Sequence, residues 1–240
     1  MTQNWIRLPL EGADNVRELG GLPAMDGRQT AWHRFLRAGQ LAGLTAGDRN
    51  MLLSYGVKTV IDLRSASETA THPDCPELLK HVGYYHIPFM EADLSPQGQA
   101  NMDDFPQDLG VMYLELLKKK EVIRQLFTQM EQAPEGCILF HCTAGKDRTG
   151  VLALMLLMLA GADRQDCLAN YIQSYIHLTR NGHFSQLSQS GYHRLFRSDA
   201  EDIAAPYDYI ESFPQGIRGY LADCGVSGSC MDHVKERCLA

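Results

Sequence analysis

HCTAGKDRTG, residues 141–150, places a cysteine, a lysine, an aspartate and an arginine within seven consecutive positions. An apolar run, ILF (138–140), precedes it, and a longer one, VLALMLLMLAGA (151–162), follows. The first reads as a buried strand, set off upstream by Pro134 and Gly136; the second reads as a helix that ends at Gly161. A reactive thiol at the joint between two core segments stands where ligands gather in open α/β sheets, beyond the carboxyl end of a strand.

The turn itself has the parts of an anion site. Its N–H groups can face inward as a nest, and the positive end of the following helix points at the same place. Gly145 and Gly150 ease the tight backbone path. Arg148 offers a planar guanidinium for two phosphate oxygens at once, which Lys146, a point charge, does not duplicate. Such surroundings favour the thiolate, which makes Cys142 a nucleophile beside a bound phosphate. Thr143, Ala144, Gly145, Lys146 and Arg148 are therefore the expected substrate-binding set. The Thr149 hydroxyl is placed to bond the thiolate or to assist a second step. His141 is expected to orient the turn through a ring hydrogen bond, not to take the proton.

Working outward, LTAGDRNMLLSYGV reads as a helix capped by Thr45 and stopped at Gly56. KTVIDL and YYHIPF (84–89) read as strands, and the 3.6-residue spacing between Leu109 and Gln132 reads as a long helix with a break near Lys120. DRQDCLANYIQSYIHL is a further helix with an aspartate at its N-cap. Strands alternating with helices give an α/β class, with a central, mostly parallel sheet flanked by helices. The 240 residues suit one domain, 1–240. Two polar stretches, 90–110 and roughly 180–205, are long enough to serve as lids over a site.

Composition narrows the partners. A net charge of −7 without a basic tail or stripe argues against nucleic acid, so an anionic ligand needs a local positive site. Seven scattered cysteines with no C-x-x-C pair fit semi-buried thiols in a reducing, cytoplasmic setting better than a disulfide scaffold. No basic-then-apolar leader opens the chain, and the run from Val151 to Ala162 is too short to span a bilayer. Neither H-E-x-x-H nor a paired C-x-x-C is present, so no metal or cofactor is expected.

The motif H-C-x-x-x-x-x-R-T-G, here HCTAGKDRTG, resembles the signature of the cysteine-dependent protein tyrosine and dual-specificity phosphatases. NVRELGG (15–21), FLRAGQLAGLT (35–45), DLRSASE (62–68) and the tail IRGYLADCGVSGSCMDHVKERCLA are similar to a bacterial and fungal branch of that superfamily. Glu18 stands where the branch usually has aspartate, and Ala38 where it usually has serine. The resemblance implies a metal-independent, two-step hydrolysis of phosphomonoesters. Cys142 takes the phosphoryl group as a phosphocysteine, water releases it, and the turn's N–H groups with Arg148 hold the oxygens.

The proton donor to the leaving oxygen has several candidates. In the branch this chain resembles it is the aspartate of the turn, here Asp147, and that residue is the first choice because the acid must reach the leaving oxygen. Asp62, also at a strand end, is another; Asp93, Asp103, Asp104 and Asp108 lie on a separate polar stretch. Lys146 matches the lysine of phosphoinositide phosphatases, where it meets an extra ring phosphate, so phosphoinositides stand beside phosphotyrosine, phosphoserine and phosphothreonine as substrates. Arg17 and Arg37 are expected in structural ion pairs or caps, as is Arg64, which alternatively lines the site. Two competing functions are a phosphate-binding module without catalysis, disfavoured by intact Cys142, Asp147 and Arg148, and a rhodanese-like sulfurtransferase, disfavoured by the arginine spacing and NVRELGG.

Overall fold

β5 (Cys137–His141) is buried at all of its positions. In the protein, described here from a computed structural model covering residues 3–91, 108–180 and 197–240, that strand is the middle of a five-stranded sheet of order β1-β2-β5-β3-β4. β2 (Phe35–Ala38) and β3 (Val57–Asp62) flank β5 in parallel, and β4 (Gly83–His86) pairs in parallel with β3. Only β1 (Arg17–Glu18) is antiparallel, against β2. A parallel sheet must be covered on both faces. The alternation along β5 shows how: Ile138 and Phe140 join one apolar cluster, while Cys137 and Leu139 join the other.

On the second face lie α1 (Ala46–Tyr55), the short α3 (Pro76–Leu79) and Leu8, Leu10 and Val16 of the N-terminal segment. Thr45 and Asp48 form a reciprocal capping box at the start of α1, and Gly56 ends it at φ 100°. The first face carries the larger cluster. Its hub is α6 (Asp147–Ala160), buried at every position from Arg148 to Ala160. A helix apolar all round has to be surrounded. Here α4 (Leu109–Leu117), α7 (Arg164–Thr179), α8 (Ala200–Glu211), α9 (Ile217–Asp223) and α10 (Gly228–Cys238) all pack on it. None of the described helices is long and apolar enough to cross a membrane.

The break expected near Lys120 is present: the chain turns at Lys118 and Lys119, between α4 and α5 (Lys120–Gln132). Other expectations change in detail. YYHIPF is a strand only to His86. β1 and β2 appear where the sequence showed motifs but no strand pattern. The polar segment near 180–205 becomes helical from Ala200, while 92–107 and 181–196 lie outside the described residues, and with them most of both expected lids.

Register fixes the site. Ala38, His141 and Asp62 stand level across three neighbouring strands, so their carboxyl ends open together just before α6 begins. Phe140, fully buried on the α6 side, anchors that level. Phe140→Ala is expected to cost about 3–5 kcal/mol of folding stability, read as a fall in the urea midpoint at unchanged slope. A loss below about 1 kcal/mol would show that α6 collapses onto the vacated space.

Candidate active site

The turn from Cys142 to Lys146 carries the chain from β5 into α6, and Lys146 begins the helix with no side-chain cap. Gly145 has φ +66°, and a Cβ there would lie 2.4 Å from the Ala38 carbonyl oxygen and 2.6 Å from the Gly39 nitrogen. Only glycine lets the turn lie this close to the end of β2. Its carbonyls are held from outside. Thr143 O accepts from the Gln40 N–H at 3.0 Å. Asn15 Nδ2 donates to Ala144 O at 3.3 Å and to Gly145 O at 2.8 Å, and Arg37 Nη2 donates to Gly145 O at 2.7 Å. The N–H groups of Thr143, Ala144 and Gly145 donate to nothing among the described residues. They are the groups left to bind an anion at the positive end of α6.

The brace behind the turn comes from the N-terminal motifs. Asn15 sits at φ 56°, a left-handed conformation that asparagine tolerates. Its Oδ1 accepts from Arg17 Nε at 2.9 Å, and Arg17 reaches on to Asn170 O at 2.6 Å and Ser174 Oγ at 2.9 Å. Arg37 Nη1 donates to Asn170 Oδ1 at 2.6 Å. Both guanidiniums are buried, and these bonds go to carbonyl, amide and hydroxyl oxygens, not to carboxylates. Burial pulls Arg17 well below its ordinary range and Arg37 down to about 10, opposed for Arg37 first by the negative charge Cys142 can carry. In place of the expected ion pairs or caps, Arg17 and Arg37 form a neutral-acceptor brace, and the charge of Arg37 backs the thiol.

Arg148 is 1% exposed and forks onto Glu68, Nη1 to Oε2 at 2.6 Å and Nη2 to Oε1 at 2.8 Å. Thr143 Oγ1 donates to Glu68 Oε1 at 2.5 Å. Glu68 is also the acidic end of the capping box that starts α2 (Ala66–Thr71), its Oε2 accepting from Ser65 N–H at 2.8 Å. Burial would raise its pKa, but the bonds and charge of Arg148 hold it at about 2. One atom of the arginine is left over: Nε is buried and without a partner. A buried donor in that state is costly, and an anion oxygen in the turn would satisfy it. Each Nη carries a second proton, so Nε and one Nη remain for two phosphate oxygens while Glu68 keeps its grip.

A second buried cluster lies under the turn. Arg64 donates to both oxygens of Asp62, at 2.9 Å and 2.6 Å, and pairs with Asp74 Oδ1 at 2.9 Å. His141 Nε2 lies 2.9 Å from Asp74 Oδ2, and its Nδ1 is 3.2 Å from Cys142 O. Tyr84 OH donates to Asp62 Oδ2 at 3.0 Å. Asp62 is fully buried. Burial opposes its charge, yet His141 and Arg64 hold its carboxyl well below the usual range. As a proton donor it is the wrong group: ionised, enclosed and already bonded. Arg64 likewise faces this cluster and not the turn. Asp62, Asp74 and His141 bring three ligand-type atoms within 4.8 Å, but Arg64 pairs with both carboxylates, and they in turn favour the charged form of His141 against its burial. They form an ion-pair network.

Asp147, in the first turn of α6, accepts from Tyr113 OH at 2.6 Å and lies 3.2 Å from Lys146 Nζ. Lys146 is 1% exposed and donates to Arg197 O at 3.0 Å, so it is no solvated lysine. Asp108 is spent as the N-cap of α4, accepting from Val111 N–H. Asp93, Asp103 and Asp104 lie outside the described residues. The Thr149 hydroxyl is buried without a partner. Cys142 is 2% exposed at the base of the turn. Glu68, Asp74 and Tyr113 escaped the sequence reading; the S-x-x-E spacing from Ser65 to Glu68 was the one local signal.

A model of the tyrosine phosphatase family matches residues 8–240. A tyrosine-protein phosphatase of Nostoc commune is 34% identical over 218 residues, covering 85% of this chain and 73% of its own. The triple specificity protein phosphatase PtpB of Mycobacterium tuberculosis is 26% identical over 116 residues, 41% of this chain and 42% of that one. Among solved structures, P. aeruginosa TpbA in complex with pTyr is similar at a TM-score of 0.40 and 18% identity, covering 92% of this chain and 99% of that one.

The depressed Glu68 carboxyl has a consequence for acid stability. Its contribution is complete above the ordinary value of 4.5 and is lost as pH falls toward about 2. Urea titrations from pH 6 downward should show that loss in the wild type and a flatter dependence in Glu68→Gln. Parallel curves for the two proteins would mean that the Arg148 fork adds nothing to folding.

Proposed function

The chain belongs to the tyrosine phosphatase family and is a protein tyrosine phosphatase; from that membership and the turn's geometry we propose that it works through a phosphocysteine intermediate on Cys142. The observation that carries this reading is the orphaned Arg148 Nε in the same turn as the Cys142 thiol.

Each residue then has a task. The unpartnered amides of 143–145 and Arg148 hold the phosphoryl oxygens as charge spreads over them. Cys142 Sγ attacks phosphorus and the P–O bond to the tyrosine breaks. The departing electron pair goes to the phenolic oxygen, which takes a proton from Asp147. Water then attacks phosphorus on the far side of the P–S bond, giving its proton to the Asp147 carboxylate. That bond breaks, its electrons return to sulfur, and phosphate leaves. His141 and the Asn15–Arg17–Arg37 brace hold the frame in which this happens.

Phosphotyrosine is the favoured substrate. The similarity to a triple specificity protein phosphatase of M. tuberculosis widens the field to other phosphoesters, and phosphoinositides enter through Lys146. That lysine is engaged by Arg197 O and lies beside Asp147, which supports a single phosphate in the turn over a second one on Lys146.

Phosphate release, with chelator present, is the direct test. Wild type should release phosphate from a phosphotyrosine peptide faster than from a phosphoserine peptide or phosphoinositides, and Cys142→Ser should release none. Substantial release by the serine variant would remove Cys142 as nucleophile. Release by neither protein, with phosphate analogues still bound, would leave a binding module. Arg148→Lys should lower kcat/KM by roughly 10²–10³-fold, since a point charge cannot keep both the fork to Glu68 and the contact to phosphate.

A further inference from the structure

We propose that Tyr113 and, behind it, Tyr171 are positioning residues that sort the two oxygens of Asp147, holding Oδ1 and leaving Oδ2 to carry the transferable proton; this rests on the assignment of Asp147 as the acid.

The two tyrosines come from separate helices and meet beside the turn. Tyr113 on α4 is fully buried and Tyr171 on α7 is 1% exposed. Their rings pack edge to face, with centroids 5.8 Å apart and planes at 78°. Their hydroxyls are 2.6 Å apart, and Tyr113 OH is 2.6 Å from Asp147 Oδ1. Gly150, the last residue of the signature, provides the room: a Cβ there would come within 3.0 Å of Tyr171 Cδ2. The motif ends in glycine partly so that this ring can lie against the first turn of α6.

Proton counting fixes the direction of the chain. A tyrosine hydroxyl has one proton. Asp147 Oδ1 accepts that of Tyr113, so the Tyr113 oxygen must accept from Tyr171. The order Tyr171 to Tyr113 to Oδ1 holds when the carboxyl is ionised. It also holds when the carboxyl is protonated, provided the acid proton sits on Oδ2. Lys146 Nζ, 3.2 Å from the same Oδ1, adds a second donor there. Both donors would have to yield for Oδ1 to bear the proton. Burial keeps both phenols protonated well past the ordinary tyrosine range, so they remain donors throughout the cycle. The arrangement needs no rearrangement between the two steps, which is what preorganisation requires of an acid that must become a base.

The test uses a series of aryl phosphates whose leaving groups run from strongly acidic to weakly acidic phenols. An acid matters most for the poorest leaving group. Asp147→Asn should steepen the dependence of kcat/KM on leaving-group basicity. Tyr113→Phe should steepen it in the same sense, with a loss of roughly tenfold on the poorest leaving group and little on the best. Tyr171→Phe should show a smaller loss of the same pattern. The double variant Tyr113→Phe with Asp147→Asn should be no slower than Asp147→Asn alone. Thermal melting and near-UV circular dichroism establish that each variant is folded; if Tyr113→Phe is not, Tyr171→Phe carries the test.

Equal slowing of every substrate by the tyrosine variants, or losses that multiply in the double variant, would reduce the pair to core packing and overturn the proposal. An unchanged slope in Asp147→Asn is a different failure: the acid assignment itself falls, and the positioning role falls with it.

Discussion

The carbonyl of Gly145 is gripped from two sides, by the amide of Asn15 and the guanidinium of Arg37, and the active turn depends on that grip. A turn whose carbonyls pointed inward would repel the anion that this one is built to hold. The donors that draw them outward come from segments far away in sequence, folded across the sheet's end by the antiparallel β1–β2 pair. Gly145 permits the approach, Arg17 steadies Asn15, and α7 supplies the acceptors that steady both arginines. Local backbone geometry, packing and electrostatics meet in one carbonyl group.

Charge is arranged in layers around this point. Behind the turn, Arg17 and Arg37 face neutral oxygens, so the positive field of Arg37 reaches the thiol undiminished by a bonded carboxylate. To the side, Arg148 is held by Glu68 but keeps unspent donors for a ligand. Below, the charges of Asp62, Asp74, Arg64 and His141 largely cancel among themselves. A chain with a net charge of −7 thereby builds a strongly positive spot without changing its overall balance. The layers also explain why two acidic residues near the turn differ in kind: Asp62 is locked as a structural anion, whereas Asp147 is bound firmly at one oxygen.

Much of this was legible in the sequence, and the pattern of what was not is physical. The strand–turn–helix around Cys142 could be read because its apolar runs are long and its turn residues dense. Short strands such as β1 and β2 could not, since arginines occupy buried positions in both and two to four residues carry no period. Ser65 and Glu68 have the spacing of a helix cap, but a cap gives no hint that the same carboxylate reaches Arg148, because α2 is brought there by tertiary packing. Tyr113 and Asp74 left no local mark at all. The burial of Lys146 against Arg197 O likewise has no local signal, since lysine is usual at surfaces.

The helix that follows the turn, walled in by five others along its length, gives the protein a fixed anvil. A turn at the head of a freely exposed helix can tilt to suit different molecules; this one has nowhere to tilt. Chemistry and selectivity are therefore separable properties here. Descendants of such a chain can drift in the segments around the rim, while the turn at the head of α6 stays in register with the sheet.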